Sequence, residues 1–328
     1  LVTQVKLIGI ITPCFNEEKN VGLLCEKIEQ VFKTLPDYEY EHIFIDNASD
    51  DQTVANLRLL ASKNKRVKVI VNNRNFGTMR SPYHALMQAH GDAVISIAAD
   101  LQDPPEVIPR LIEAWERGER FVAAVKTQSE ESKIIYALRT LYYRLLNSLA
   151  NVELIEHYTG FGLYDRSVIE ELRKTNDRFP YFRGLLSELG FSAAKVNFVQ
   201  PLRKYGKSRQ RFYDLYEVAI NGLTSHSILP MRVATFFGFI VAIVSFLIAL
   251  FYLVYKLLYW QSFDLGIAPL VIGMFLIFSV QLMFIGLLGE YIGATHMQIL
   301  TRPLVVEKER INFDDKDRQP DSISEKES

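Results

Sequence analysis

Four clusters of carboxylates, carboxamides and hydroxyls are the residues best suited to chemistry. They are Thr12-Pro13-Cys14-Phe15-Asn16-Glu17-Glu18, Asp46-Asn47-Ala48-Ser49-Asp50-Asp51, Asn72-Asn73-Arg74-Asn75-Phe76-Gly77 and Asp100-Leu101-Gln102-Asp103-Pro104-Pro105-Glu106. Their donors are hard oxygens, which suit Mg²⁺ or Mn²⁺. Such ions bridge a few protein oxygens to substrate phosphates, so the clusters point to a phosphate-bearing nucleotide substrate. No GxGxxG or GxxxxGK[ST] cradle is present, which removes support for a dinucleotide dehydrogenase or a P-loop enzyme. HExxH and zinc-type Cys/His spacings are also missing. Taken singly, each cluster has a structural reading. Ser49 or Asp50 would cap a helix starting at Thr53, and Asp103 would cap one opened by Pro104 and Pro105.

The elements that must position these clusters follow from periodicity. Runs rich in Val and Ile at 6–11, 41–45, 67–72, 93–98 and 121–125 predict strands. Helical patterns at 17–34, 53–63, 83–90, 105–117 and 133–150 alternate with them. Alternation of this kind predicts an α/β domain with a parallel sheet and helices on both faces. Ligands in such sheets bind outside the carboxyl ends of the strands. All four clusters fall where a predicted strand stops, so they should share one polar crevice.

The chain has 328 residues, and its apolar excess is concentrated near the end. Residues 233–255 and 267–289 are two charge-free runs of 23 residues. At ~1.5 Å per residue each would be about 35 Å long, enough to cross a ~30 Å hydrocarbon core. Tyr259, Trp260 and Tyr291 sit at the ends, where interfacial aromatics belong. Arg203, Lys204, Lys207, Arg209, Arg211 and Arg232 precede the spans, and Arg302, Lys308 and Arg310 follow them. The connection between the spans carries only Lys256, so the positive-inside rule places both termini in the cytoplasm. No apolar run opens the sequence as printed, so a secretory signal peptide is not expected. Residues 212–229 have helical apolar spacing beside the basic run 203–211, which suits a helix in the membrane interface or an ordinary amphipathic helix. The stretch from Glu307 onward is highly charged and is expected to be disordered. The 37 basic and 38 acidic residues argue against a nucleic-acid partner. Two cysteines, Cys14 and Cys25, make no disulfide framework. Gly286, Gly289 and Gly293 form a small-residue stripe through which helices could pack as a homo-oligomer.

The strings TPCFNEE, IDNASDDQT, NNRNFG, AADLQDPPE, LYYRLLN, TGFGLYDR, RKYGKSR and LPMRVATFFGF resemble family 2 glycosyltransferases of the GT-A fold. The likeness covers about residues 6–300 and is to the polyprenyl-phosphate subgroup, the bactoprenol glucosyltransferase and dolichyl-phosphate mannose synthase type. The resemblance implies a GT-A domain at 1–211, an interfacial helix and linker at 212–232, and membrane helices at 233–258 and 267–291. A polar tail at 303–328 follows. It implies a metal-dependent hexosyltransferase of the cytoplasmic membrane, with a nucleotide-sugar donor (UDP-glucose favoured) and a polyprenyl phosphate acceptor (undecaprenyl phosphate favoured). The lipid bilayer is then a further partner.

By the same likeness, Pro13, Asn16 and Glu17 line the nucleotide pocket. Asp46 matches the first acid of a DDGS turn that holds base and ribose, and Asn47 stands where a second Asp is common. Asp100 and Gln102 match the metal-binding end of a DxDxQ motif, with Asp100 the principal catalytic candidate. Ala98 stands where that motif has its first Asp. Arg203, Ser208 and Arg209 fall on an R-x-x-G-x-S-[KR] loop that closes over phosphates. The family has a further acid near 157–160, where this chain has His157, Tyr158, Thr159 and Gly160. Asp165 is then the nearest candidate carboxylate, with a helix cap as its alternative role. His157 reads as a surface or core histidine. Two rival functions are a catalytically impaired nucleotide-binding scaffold, suggested by Ala98, and a processive polysaccharide synthase. The latter typically carries QxxRW and more spans, and neither Trp115 nor Trp260 follows an arginine.

Overall fold

A computed structural model describes residues 5–128, 155, 158–175, 177, 182–201, 229–259, 267–300 and 302–313. The predicted helix 133–150, His157, the loop with Arg203, Ser208 and Arg209, and residues 212–228 lie outside these. The chain divides into two compact units: residues 1–143, 153–210 and 300–328, and residues 144–152 and 211–299.

The first unit is an eight-stranded sheet flanked by helices. In chain order it contains β1 (Lys6–Cys14), α1 (Val21–Phe32), β2 (Tyr38–Asp46), α2 (Thr53–Lys63), β3 (Val67–Asn72), α3 (Gly77–Gln88) and β4 (Ala93–Ser96). A 3₁₀ turn, Pro105–Val107, leads into α4 (Ile108–Glu116) and β5 (Phe121–Gln128). Beyond these come β6 (Tyr158–Asp165), α5 (Arg166–Thr175), α6 (Phe182–Glu188) and β7 (Ala194–Val199). The strand order is β7-β5-β6-β4-β1-β2-β3, with β8 (Glu307–Ile311) at the far edge. β1–β4 run parallel, as the alternation predicts. β6 is antiparallel to both β4 and β5, and β8 is antiparallel to β3.

Alternate side chains of the buried strands pack into two cores, one on each face of the sheet. Ile8 and Ile10 face Leu24 and Ile28 of α1, Leu57 of α2 and Leu111 of α4. Ile11, Ile43, Ile45 and Ile70 face Tyr83 and Leu86 of α3 and Ile169 and Leu172 of α5. Both faces of the sheet are therefore covered, which is why its central strands read as unbroken apolar runs. At the turn into β4, a Cβ on Gly91 would lie 2.3 Å from the Gly9 amide nitrogen, so only glycine fits there.

Over residues 307–313 the expectation of disorder is overturned. Glu309 pairs with Arg58 of α2, and Glu307 pairs with His84 of α3 at 2.6 Å and with Arg310. The Asn312 amide donates to the Ala61 and Val67 carbonyls at 2.7 and 2.8 Å. These charges seal an edge strand instead of solvating a tail.

The second unit contains α7 (Leu229–Leu258) and α8 (Ile267–Ile299). α7 begins four residues before the expected start at 233 and takes in the end of the predicted linker. α8 runs eight residues past 291. Both are long and apolar enough to cross a membrane, and within the windows Met231–Ile248 and Ile277–His296 no share is buried. Phe236, Phe239, Phe246 and Leu282 are exposed, whereas a core helix would bury them.

Candidate active site

The crevice lies at the carboxyl edge of the sheet. β1 ends at Cys14 and β2 at Asp46, side by side in register. The loops that leave them are zipped together. Asn16 adopts a left-handed backbone (φ 57°), a conformation asparagine tolerates better than most residues. Its N–H donates to Ser49 Oγ at 2.8 Å, and its Oδ1 accepts the Asp50 N–H at 2.9 Å. The Glu17 N–H donates to Thr53 Oγ1 at 2.8 Å, and the Glu18 carboxylate accepts the Gln52 N–H at 3.1 Å. Pro13, Asn16 and Glu17 are part-exposed at this edge, where a nucleotide could reach them.

Asp46 and Asn47 stand at the carboxyl end of β2, each engaged by hydrogen bonds within the protein. Asp46 is fully buried, and its carboxylate accepts Ser49 N–H at 2.9 Å and the Ser49 hydroxyl. Burial pushes its acidity toward higher pH, partly offset by the Ser49 and Ala48 hydrogen bonds. It shapes the turn from behind. Asn47 is buried, and its amide is saturated within the protein. Nδ2 donates to Asn75 Oδ1 (3.0 Å) and the Gly77 carbonyl (3.1 Å), while Oδ1 accepts from Asn72 Nδ2 (3.2 Å) and Phe76 N–H (2.9 Å). A primary amide has two donors and two acceptor positions, so none is left for a ligand. Asn47 instead fastens the β3 loop to the β2 loop. Gly77, at φ +87°, opens α3 where that loop turns.

Helix capping also differs from expectation. Asp51, and neither Ser49 nor Asp50, accepts the Thr53 N–H at 2.9 Å at the start of α2. Asp103 accepts the Ala98 N–H at 3.1 Å and so clamps the base of the β4 loop, while Pro104 caps the 3₁₀ turn without a side-chain bond. Under the loops lies a fully buried His42, whose Nε2 is 2.9 Å from Thr12 Oγ1. Burial depresses its pKa to about 3, so it is neutral and structural.

Asp100 follows β4 on this same edge. Its Oδ1 accepts the Gln102 N–H at 3.1 Å across Leu101, which is left-handed at φ 61°. Both Asp100 and Gln102 are part-exposed. Among the described residues no group of three or more His, Cys, Asp or Glu side chains could hold a metal. One carboxylate and one carboxamide still fit a hard divalent ion that takes its other ligands from substrate phosphates and water, the usual pattern for Mg²⁺. Ala98 contributes a backbone N–H and no ligand.

Asp165 is not at this site. It pairs with Ala93, the first residue of β4, and so lies at the opposite edge of the sheet from Asp100. Its carboxylate accepts Trp115 Nε1 at 2.7 Å and Ser167 N–H at 2.9 Å, capping α5. Burial raises its pKa, and the Ser167 and Trp115 hydrogen bonds outweigh that and hold it low. Of its two sequence readings, the cap is the one the fold adopts. The missed contributor is Ser81, whose hydroxyl accepts from Asn72 Nδ2 at 3.0 Å.

An α/β sheet with covered faces and convergent polar loops at its carboxyl edge is the scaffold of a GT-A glycosyltransferase. Residues 9–173 match the Glycosyl transferase family 2 profile, and the chain belongs to that family. It is 33% identical over 302 residues to an SfII prophage-derived bactoprenol glucosyl transferase of Shigella flexneri, covering 92% of this chain and 97% of that one. It is 31% identical over 313 residues to CsbB, a putative glycosyltransferase of Bacillus subtilis, covering 95% and 94%. A solved glucosyl-3-phosphoglycerate synthase from Mycobacterium tuberculosis with Mn²⁺, UDP and phosphoglyceric acid covers 67% of this chain and 78% of that one at 20% identity. The TM-score of this likeness is 0.46.

Proposed function

We propose that this glycosyltransferase moves glucose from UDP-glucose to the phosphate of a membrane polyprenyl phosphate, undecaprenyl phosphate being the favoured acceptor. The observation that carries the mechanism is the part-exposed Asp100 at the β4 end, beside donor loops already locked in place. The assignment of sugar and acceptor is supported by the bactoprenol glucosyl transferase relative, which aligns along nearly its whole length, apolar helices included.

The reaction is a single displacement. The bond from sugar C1 to the donor's β-phosphate oxygen breaks as an acceptor phosphate oxygen bonds C1 from the opposite face, so the anomeric configuration inverts. Mg²⁺ or Mn²⁺, when bound, neutralises charge on the departing diphosphate. Asp100 and Gln102 would hold it, and Pro13, Asn16 and Glu17 would seat the nucleotide. The acceptor phosphate has a second pKa near ~6 and is largely deprotonated at neutral pH, so no strong general base is needed. That fits a crevice from which Asp165 is absent. Arg203, Ser208 and Arg209 are proposed to close over phosphate. Flanking charge supports insertion in the cytoplasmic membrane with the catalytic domain and both termini in the cytosol.

The test uses full-length protein in bilayers with undecaprenyl phosphate. UDP-glucose, UDP-galactose, UDP-N-acetylglucosamine and GDP-mannose are each offered with Mg²⁺ or Mn²⁺, and glycolipid is read by mass spectrometry. A hexosyl product from UDP-glucose is expected. A product from another donor alone would overturn the sugar, and no product from any donor would favour the impaired scaffold.

A further inference from the structure

Three arginines gather at the carboxyl end of β3, three strands along the sheet from the strand that leads to Asp100. Arg74 and Arg80 stand over the same Phe76 ring, their guanidinium carbons 4.2 and 5.5 Å from its centroid. Arg80 Nη2 donates to the Pro303 carbonyl, which brings in the neighbouring Arg302. The Arg80 Nε is buried and has no hydrogen-bond partner. Burial lowers the Arg80 pKa, and the charges of Arg74 and Arg302 lower it further.

Arg58, Arg117 and Arg310 are neutralised by Glu309, Glu113 and Glu307. Among the described residues, Arg74 and Arg80 have carbonyl and aromatic partners and no carboxylate. Holding like charges together, one of them partly desolvated, is costly unless an anion offsets it. The platform is also rigid. Phe76 N–H is bonded to Asn47 and Gly77 N–H to Asn75, so the ring beneath the guanidiniums is held in place.

The geometry points to a phosphate-binding site formed by Arg74, Arg80 and Arg302, whose ligand is a phosphate borne by a lipid. Guanidinium forks match phosphate oxygens, and three of them suit a doubly charged monoester. β3 lies three strands from β4, roughly 14 Å across the sheet at ~4.8 Å per strand, so this site is separate from Asp100. Arg302 follows the apolar window Ile277–His296 by six residues, where basic side chains meet anionic headgroups. The inference goes beyond the transfer reaction and rests on the membrane reading above only for the source of the phosphate.

The test is calorimetric titration of full-length protein in neutral detergent with dihexanoyl phosphatidic acid, inorganic phosphate and UDP. Wild type is compared with Arg80→Gln, Arg302→Gln, the double variant and an Arg117→Gln control. Expected is a loss on the order of tenfold in phosphatidic acid affinity per arginine, with UDP affinity within twofold and the control unchanged. Arg302 is exposed, so its substitution alone separates lost binding from misfolding. An equal loss for UDP would assign the cluster to the donor and overturn the proposal. Inorganic phosphate binding as tightly as the lipid would overturn the lipid source. Unchanged phosphatidic acid affinity in Arg302→Gln and the double variant would remove the site. Glycolipid formation from UDP-glucose is scored in parallel, so failure of this inference and failure of the proposed reaction are told apart.

Discussion

The loops after β1 and β2 and the loop after β4 stand at one edge of one sheet and are built in opposite ways. The first pair is saturated: Asn16, Ser49, Asp46 and Asn47 spend their hydrogen bonds on each other and on the β3 loop. In the β4 loop Asp103 accepts the Ala98 N–H, Asp100 accepts the Gln102 N–H, and Asp100 and Gln102 are both part-exposed. A nucleotide needs a pre-formed seat, because ordering loops on binding costs affinity. A metal that arrives with its substrate needs oxygens that solvent and substrate can reach.

The sharpest way to break the comparison is Asp100→Ala. Transfer should fall by a hundredfold or more, about 3 kcal/mol of lost transition-state stabilisation, with the unfolding midpoint unchanged. Retained turnover at saturating donor and metal would show that the open loop is not the catalytic one. Asn47→Ala acts on the closed loops and should instead cost stability. Orphaning the buried Asn72 amide and Phe76 N–H is worth about 2–4 kcal/mol, to be read by urea denaturation together with weakened UDP binding.

A third effect lies at the β3–β8 edge. Burial works against the Glu307 charge, but hydrogen bonds from His84 and Arg310 hold its pKa at about 2, below the ordinary 4.5. A depressed carboxylate stabilises the fold above its unfolded value and loses that contribution as pH falls from about 4.5 toward 2, at most about 3 kcal/mol here. Thermal unfolding of Glu307→Gln should be lower at pH 7 and flatter across that window than wild type; parallel curves would refute the linkage. Asp165→Asn should cost about 1 kcal/mol as a weakened cap and leave kcat within twofold. A large kcat loss in folded protein would return Asp165 to the chemistry. The smallest change is expected of Ala98→Asp, which adds a carboxylate to the open loop. Donor Kd in Mn²⁺ should tighten a few-fold, about 1 kcal/mol, and no change would mean position 98 does not face the metal.

Much of the framework was legible before folding. Central strands of a covered sheet are apolar on both faces, so 67–72 and 93–96 stand out locally, and the spans announce themselves by 23 residues without a charge. β8 was not legible. Glu307-Lys308-Glu309-Arg310-Ile311 has the composition of a solvated tail, and becomes a strand by pairing with β3, with ion pairs to α2 and α3, all more than 200 residues away. β6 and β7 were missed because Tyr158–Asp165 is interrupted by Gly160 and Gly162, and Ala194–Val199 buries only Val196 and Phe198.

What the sequence by itself determined are the properties carried by near neighbours: strand–helix alternation, the apolar spans, and polar clusters where strands stop. Tertiary structure decided what each polar residue is used for. Asp46, Asp100 and Asp165 are the same side chain, each at or just beyond the end of a strand. One is buried in a turn, one part-exposed at the crevice and one spent as a cap on the opposite edge. A carboxylate's role depends on which donors reach it and whether water does, and both are set by strands that meet only when the sheet assembles.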